Sequence, residues 1–380
     1  LAIQKREHDL VIATFGRGIY ILDDFRPLRT TTPATLAAAA TLFPVKDAML
    51  YVPTQQYGGR GKAFQGEMLY GGDNPPYGAI VTYHLEDALK SLKQQRVDAE
   101  KAAEKAGKPI AYPTSDQLRA EAEEEAPAIL LTVADSSGTP IRTFTGPVGK
   151  GFQRVAWDLR LPGHVLPRAA GTMEQLFGDP PGGPYVVPGR YSVSLAQRVG
   201  GVVTPLAGPV SFNVVTEPAS PVTLADHAAR GAFQARLQEL RRSVAGAVEL
   251  TNATAQQLEQ LRRALDLAPA APQALHDQVR ALEGRLRLVV RELSGDRALA
   301  SRSEATPSSI ADRVNGISGE QGRTLGRPTG THEEQLAIAG ELFAAELARL
   351  RQLVEGDIPA LERAAEKAGA PYTPGRIPGR

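Results

Sequence analysis

The hydrophobic periodicity of the chain changes near Pro221, and this change constrains the fold more than any other feature of the sequence. Before Pro221, short apolar runs rich in β-branched residues alternate with turns that contain glycine and proline, a pattern typical of antiparallel strands. After Pro221, leucine and valine recur in steps of three and four, the spacing of one helix face. The 380 residues therefore predict a mixed β and α protein of two or three domains, with the β part first.

Residues 76–220 carry the strand signal and predict an antiparallel β-sandwich. The predicted strands lie at 79–83, 129–133, 141–144, 153–159, 191–195 and 210–215. Trp157, the only tryptophan, lies between two apolar residues of one strand, so we expect it in the core rather than in a sugar-stacking platform. Residues 86–125 interrupt the strands with 17 charged side chains, seven basic and ten acidic, which predicts a solvated helical insert.

Residues 221–370 predict three antiparallel helices that form a bundle. Thr223 and Asp226 resemble the N-cap of the first helix, and Pro269 and Pro272 break it. The second helix has an a/d seam, which must pack against partner helices and could also pair between chains. The seam residues are Leu275, Val279, Leu282, Leu286, Val289 and Leu293.

The third helix should begin at a capping box made by Thr331 and Glu334. Gly356 and Pro359 should interrupt this helix, and Gly369 should end it, because glycine and proline disfavour continued helix. A short additional helix is predicted at 307–314, and the tail 371–380 should be extended.

The first 30 residues predict a β-hairpin, with strands at 9–14 and 19–22 around the turn Phe15-Gly16-Arg17-Gly18. Both strands are apolar at consecutive positions, which predicts burial on both faces. A lone two-stranded hairpin is unstable in water, and the chain starts at Leu1 with no Met before Met49. We therefore expect the chain to be the downstream part of a longer polypeptide that supplies most of the hairpin's sheet. Residues 31–75 predict an irregular connector.

The composition argues against several classes of function. A formal net charge of +1 argues against nucleic-acid and membrane-surface binding, which usually need a basic excess. The absence of cysteine excludes disulfides, thiolate metal sites and cysteine nucleophiles. None of the six histidines is spaced to share a helix face with another, so we expect no metal site and no cofactor.

The chain carries no motif that defines a reaction. No Gly-x-Ser-x-Gly nucleophile elbow occurs, and the glycines at 58–61 before Lys62 lack the Walker spacing. The best local pair of carboxylates is Asp23 and Asp24, followed by Asp73, but adjacent strand residues point to opposite faces. The candidate binding residues are therefore Asp24, Asp73 and, in the hairpin turn, Arg17, and no catalytic residue is assigned.

The segment 9–24, with its Gly-Arg-Gly turn and its Asp-Asp end, resembles the closing blade of bacterial sortilin-type, BNR-repeat β-propellers, which are often labelled glycosyl hydrolase-like or sialidase-like. Further segments resemble the carboxy-terminal extension of that family, in order. They are Leu42-Phe43-Pro44, the segments 74–79, 154–160 and 187–191, and the tail 369–376. The Trp157-Asp158 and Pro188-Gly189 elements also resemble an Ig-like domain of flagellar hook-capping proteins.

The resemblance implies a terminal propeller hairpin at 1–30, an Ig-like sandwich at 76–220 and a helical bundle at 221–370. It implies a non-catalytic accessory region of a periplasmic or extracellular protein, which braces the upstream propeller and binds a protein or a glycan. Two alternatives remain open. The chain could contribute Arg17, Asp24 or Asp73 to a glycoside hydrolase site in the propeller, or its helical bundle could be an oligomerisation module. Sialidases draw an arginine cluster, a Tyr–Glu nucleophile pair and an acid Asp from several blades, whereas at most one blade is represented here. No Asp-box occurs in the sequence, and segment 135–139 resembles one only superficially.

Overall fold

The computed structural model describes residues 1–53, 74–163 and 182–378. The strands in these ranges are β1 (Ala2–Gln4), β2 (Asp9–Ala13), β3 (Ile19–Leu22), β4 (Ala40–Leu42), β5 (Ala48–Leu50), β6 (Ala79–Leu85), β7 (Ala128–Ala134), β8 (Pro140–Gly146), β9 (Gly151–Trp157), β10 (Gly189–Val199) and β11 (Val202–Thr216). The helices are α1 (Arg26–Arg29), α2 (Pro33–Ala37), α3 (Leu92–Lys105), α4 (Ser115–Glu123), α5 (Leu224–Asp266), α6 (Gln273–Ser294), α7 (Arg297–Ala300), α8 (Ile310–Gln321), α9 (Gly330–Arg351) and α10 (Ile358–Lys367). A π-helical turn, Gln352–Asp357, joins α9 to α10.

The structure confirms a mixed β and α protein with several antiparallel sheets. The strands form three sheets, with the orders β1-β2-β3, β4-β6-β9 and β5-β11-β10-β7-β8. Every described strand pair is antiparallel except β5 and β11. The chain divides into two compact units, the first from Leu1–Pro162 and Tyr185–Pro221, the second from Gly163–Pro184 and Val222–Arg380, each through its described residues. The change in periodicity near Pro221 thus coincides with a boundary between units.

Aromatic side chains bridge two sheets of the first unit. Trp157 at the end of β9 is 1% exposed, which confirms that it lies in the core. Its ring lies 5.7 Å from that of Tyr191 and 6.2 Å from that of Phe212, both on the five-stranded sheet. Gly78, just before β6, has φ of 109°, and a Cβ atom there would lie 1.9 Å from the carbonyl oxygen of Trp157. Glycine is therefore required where β6 approaches Trp157.

The charged insert confirms its predicted character. Helices α3 and α4 contain no buried residue. Arg96 binds the carboxylate of Glu100 on its own helix and that of Glu121 on α4. Thr114 and Gln117 form a capping box at the start of α4. The insert is thus a solvated helix pair.

Residues 31–75, predicted as an irregular connector, contain ordered elements in their described part. Helix α2 begins at a capping box made by Thr32 and Thr35. Strand β4 pairs with β6, and β5 pairs with the end of β11. The prediction was wrong here because strands of three residues are too short to show a periodic pattern.

One apolar core unites the helices of the second unit. The seam of α6 is confirmed, because five of its six residues are buried and Leu275 packs against the same core. Thr223 and Asp226 form the predicted cap of α5, which ends at Asp266 before the two prolines.

Two helix boundaries differ from the prediction. Helix α9 begins at a capping box of Thr329 and His332 rather than Thr331 and Glu334. The short helix predicted at 307–314 is α8, which begins at Ile310 and extends to Gln321. The predicted interruption near Gly356 and Pro359 occurs as the π-helical turn. Proline has no backbone N–H, so Pro359 cannot make the hydrogen bond that a regular helix requires at its position.

Candidate functional site: the amino-terminal sheet

The candidate site is the sheet of β1, β2 and β3, called here the amino-terminal sheet. The hairpin predicted at 9–22 is confirmed, and β1 adds a third strand to it. Gly16 and Gly18 take φ of 73° and 82° in the turn, a backbone region that glycine adopts at little cost. The hairpin is therefore part of a three-stranded sheet, one strand fewer than the four of a propeller blade.

Strand β3 is exposed, contrary to the predicted burial. Ile19 is 69% exposed, Tyr20 55%, Ile21 60% and Leu22 38%. Successive strand residues point to opposite faces, so both faces of β3 present apolar side chains to solvent. A strand that is apolar on both faces is typical of a sheet covered on both sides, and exposed apolar patches mark interaction surfaces.

The outer edge of β3, although only four residues long, lacks two of the features that usually protect an edge strand. Such edges commonly carry proline or charged side chains, which discourage pairing with another strand. Strand β11 gives an example of such protection. Its Pro205 and Pro209 lie outside the stretch that pairs with β5, and the N–H of Asn213 donates a hydrogen bond to the Asp47 carboxylate. The sequence of β3 has neither proline nor charge. The contrast favours β3 as a strand that is covered in the functional protein.

A corner made by Asp9, Asp24 and Arg26 closes the end of the sheet. Arg26 donates two hydrogen bonds to the Asp24 carboxylate, Nε to Oδ1 at 2.6 Å and Nη2 to Oδ2 at 2.8 Å. The N–H of Asp24 donates to Asp9 Oδ1 at 2.9 Å. Asp24 has φ of 41°, a left-handed conformation that aspartate tolerates better than most residues.

The Asp24 carboxylate is held in its ionised form. Burial opposes the charge, but the hydrogen bonds and charge of Arg26, with a contribution from Arg154, lower the pKa of Asp24 below its ordinary value. A general acid needs the opposite shift, a pKa raised toward the working pH. Asp24 in this structure therefore stabilises the corner and is unsuited to donate a proton.

Replacement of Asp24 by asparagine tests this role. Asparagine also tolerates the left-handed backbone, so Asp24→Asn removes mainly the charge. We expect the free energy of local opening of β2 and β3 to fall by about 1.5–3 kcal/mol at pH 7, the usual value of hydrogen bonds to a charged group. Amide hydrogen exchange on peptides from residues 9–24 would measure it, with Asp23→Asn as the matched control.

The difference in stability between the parent and Asp24→Asn should depend on pH. Because the pKa of folded Asp24 is lowered from 3.8, its contribution to stability is complete above 3.8 and is lost as pH falls through the folded value. The nearby charges of Asp9, Arg26, Asp47 and Arg154 remain in the variant. The difference between parent and Asp24→Asn should therefore vanish in strong acid, and a constant difference down to pH 2 would contradict this role.

Two polar contacts join the amino-terminal sheet and its corner to the rest of the first unit among the described residues. Arg154 on β9 donates from Nη2 to the carbonyl oxygen of Asp24 at 2.7 Å. Lys46, which lies between β4 and β5, forms an ion pair with Glu7. The chain itself continues from the sheet through Phe25, whose N–H donates to the carbonyl of His8.

The structure does not bring Arg17 and Asp24 together. Arg17 is exposed in the hairpin turn, and Asp24 lies beyond the other end of β3, a strand of four residues that spans about 13 Å at 3.3 Å per residue. Asp73 lies outside the described residues. Sequence reasoning missed Arg26 and Arg154. An arginine two positions after an aspartate was a local signal for the first, whereas Arg154 is 130 residues from Asp24.

Metal binding, membrane spanning and an Asp-box find no support among the described residues. No three His, Asp or Glu side chains there are grouped so that they could hold a metal ion. None of the helices there combines the length and hydropathy needed to cross a bilayer. The segment 135–139, whose sequence superficially resembles an Asp-box, forms the hairpin turn between β7 and β8. In this turn Asp135 accepts hydrogen bonds from the N–H groups of Ser137 and Thr139.

Comparisons with known proteins identify no relative. The chain matches no family model, no curated protein and no solved structure. Its function must therefore be argued from the geometry of its own residues.

Proposed function

We propose that this chain is a non-catalytic accessory region of an exported β-propeller protein, which closes and braces the propeller and presents surface to a protein or glycan. The observation that carries the proposal is the exposed apolar strand β3. A propeller blade that continued the amino-terminal sheet would cover both faces and the outer edge of β3. Burial of that apolar area would stabilise the contact.

The rest of the chain would then support this surface. In the proposal, residues 76–220 form an Ig-like sandwich and residues 221–370 an antiparallel helical bundle. The contact of Trp157 with Tyr191 and Phe212 across two sheets supports the first. The buried seam of α6 supports the second. Export to the periplasm or the cell exterior belongs to the same proposal, because it follows from the family that residues 9–24 resemble.

The two alternative functions have less support. A role of Asp24 in a glycoside hydrolase site would require a carboxylate free to reach a sugar, but Arg26 holds both of its oxygens. Oligomerisation through the α6 seam would require those side chains to be available to a second chain. They are covered within the second unit.

The test compares this chain with the product of its complete reading frame. In the complete protein, we expect Ile21→Ser to lower the free energy of unfolding by about 1–2 kcal/mol, because Ile21 would lose apolar burial against the propeller. In the 380-residue chain, where Ile21 is already 60% exposed, the same change should have little effect. Thermal and urea denaturation of both proteins would measure the difference.

Val202→Ser is the matched control, because Val202 is a β-branched strand residue that is 66% exposed in the same unit. It should leave both proteins unchanged within about 0.5 kcal/mol. Equal responses to Ile21→Ser in the two proteins would refute the proposal. A reading frame that encodes no β-rich domain next to this chain would refute it as well.

A further inference from the structure

The amino-terminal sheet is attached to the first unit without a hydrophobic core of its own. None of residues 1–26 is buried, and the first buried apolar side chains of the chain are Pro27 and Phe43. The core of the first unit comes from the other two sheets. The side-chain hydrogen bonds and ion pairs that join the sheet to the described remainder of the unit are those of Arg154 and Lys46.

Arg154 connects two rigid elements through one planar group. Its Nε donates to Thr82 Oγ1 at 3.3 Å, and Thr82 is its register partner on β6. Its Nη2 donates to the carbonyl oxygen of Asp24, whose backbone is fixed by the bonds to Asp9 and Arg26. A guanidinium has fixed donor directions, so these bonds restrict the angle between the amino-terminal sheet and the β4-β6-β9 sheet.

Both contacts lie in solvent. Arg154 is exposed, and the Lys46 and Glu7 side chains are 35% and 36% exposed. An exposed ion pair such as Lys46–Glu7 contributes about 0.2–1 kcal/mol and is screened by salt. The hydrogen bonds of Arg154 go to neutral oxygens, so salt weakens only its attraction to the nearby Asp24 carboxylate. Contacts of this strength hold one orientation preferentially and still allow others.

We infer that Arg154 and Lys46 form a salt-sensitive latch that sets the orientation of the amino-terminal sheet. The latch rests on the proposed function in one respect, since the sheet is taken as the surface that meets the propeller. Arg154 and Lys46 are then positioning residues, which hold β3 at the angle at which a neighbouring blade can cover it. Opening the latch would lower the rate of productive contact without changing β3 itself.

The absence of native cysteine allows a direct test by spin labelling. Labels at Phe15→Cys, which is fully exposed in the turn, and Thr145→Cys, exposed on β8, report the angle of the sheet by double electron–electron resonance. The full 380-residue chain in 20 mM salt should give one dominant distance. Arg154→Met or Lys46→Met should each increase the population at other distances about two- to fivefold, the equivalent of an exposed charge contact.

Three comparisons make the result specific. The double variant should increase the other distances further, and 0.5 M salt with the parent should increase them mainly by screening the Lys46–Glu7 ion pair. Arg154→Lys should restore part of the parent distribution. Arg190→Met removes another exposed arginine contact in the same unit, to Ser211, and should change nothing. The emission of Trp157 should stay constant, which separates release of the latch from unfolding.

An unchanged distance distribution in the double variant at 0.5 M salt would overturn the inference. That result would leave the proposed function standing, because the exposure of β3 does not depend on the latch. Conversely, failure of the Ile21→Ser comparison would refute the role of β3 and leave the latch as a property of this chain alone.

Discussion

Replacing Trp157 by alanine should lower the free energy of unfolding of the first unit by about 3–5 kcal/mol, the range for loss of a large buried aromatic side chain. Trp157 is 1% exposed and contacts Tyr191 and Phe212 on the five-stranded sheet. Its Nε1 also donates a hydrogen bond to the carbonyl oxygen of Arg160 at 2.9 Å. The variant would lose the ring contacts between the two sheets and the hydrogen bond from the indole N–H to Arg160.

Hydrogen exchange resolved by mass spectrometry would measure this loss on peptides from β6 and β10. Tyr112→Ala is the matched control, because Tyr112 is an aromatic residue of the same unit that is 87% exposed. We expect it to change the opening free energy by less than about 0.5 kcal/mol. A loss below about 1 kcal/mol in Trp157→Ala would mean that the two sheets do not depend on this residue.

Leu286→Ala should destabilise the second unit by about 2–5 kcal/mol, because it removes a leucine from the centre of the helical core. Leu286 is 3% exposed and lies in the middle of the α6 seam. The spread in the expected value reflects how far neighbouring residues can move into the space it leaves. Urea denaturation followed by ellipticity at 222 nm would report the loss, since the long helices dominate that signal.

The same helix supplies a control two residues away. Leu288 is 53% exposed, and Leu288→Ala makes the same chemical change with the same helix propensity. We expect Leu288→Ala to lie within about 0.5 kcal/mol of the parent. Similar losses from both variants would show that α6 does not bury the face that its heptad pattern predicts.

Local patterns were sufficient to predict most of the helices and strands. Strand and helix periods follow directly from which side chains face the core, so runs such as 79–83 and the α6 seam were identified correctly. The cap of α5 was also predictable, because Thr223 and Asp226 interact within one turn. Such features depend on residues close together in the chain.

The start of α9 shows where local patterns become ambiguous. Thr329 and Thr331 are both acceptable N-caps by residue type. The choice of Thr329 involves His332, whose Nδ1 accepts from the N–H of Thr329 and also meets the Gln321 side chain of α8 at 3.1 Å. A contact between two helices thus accompanies a boundary that the sequence left undecided.

The sequence by itself determined the strands around the Gly-Arg-Gly turn, the change from β to α near Pro221 and the buried seam of α6, because each depends on a short repeated spacing of apolar residues. Only the tertiary structure decided that β3 is exposed, that β4 and β5 pair into separate sheets, and that Asp24 meets Arg26 and Arg154. Burial and long-range pairing depend on which elements come together in space. A contact such as that of Arg154 with Asp24, across 130 residues, leaves no periodic signal in the chain.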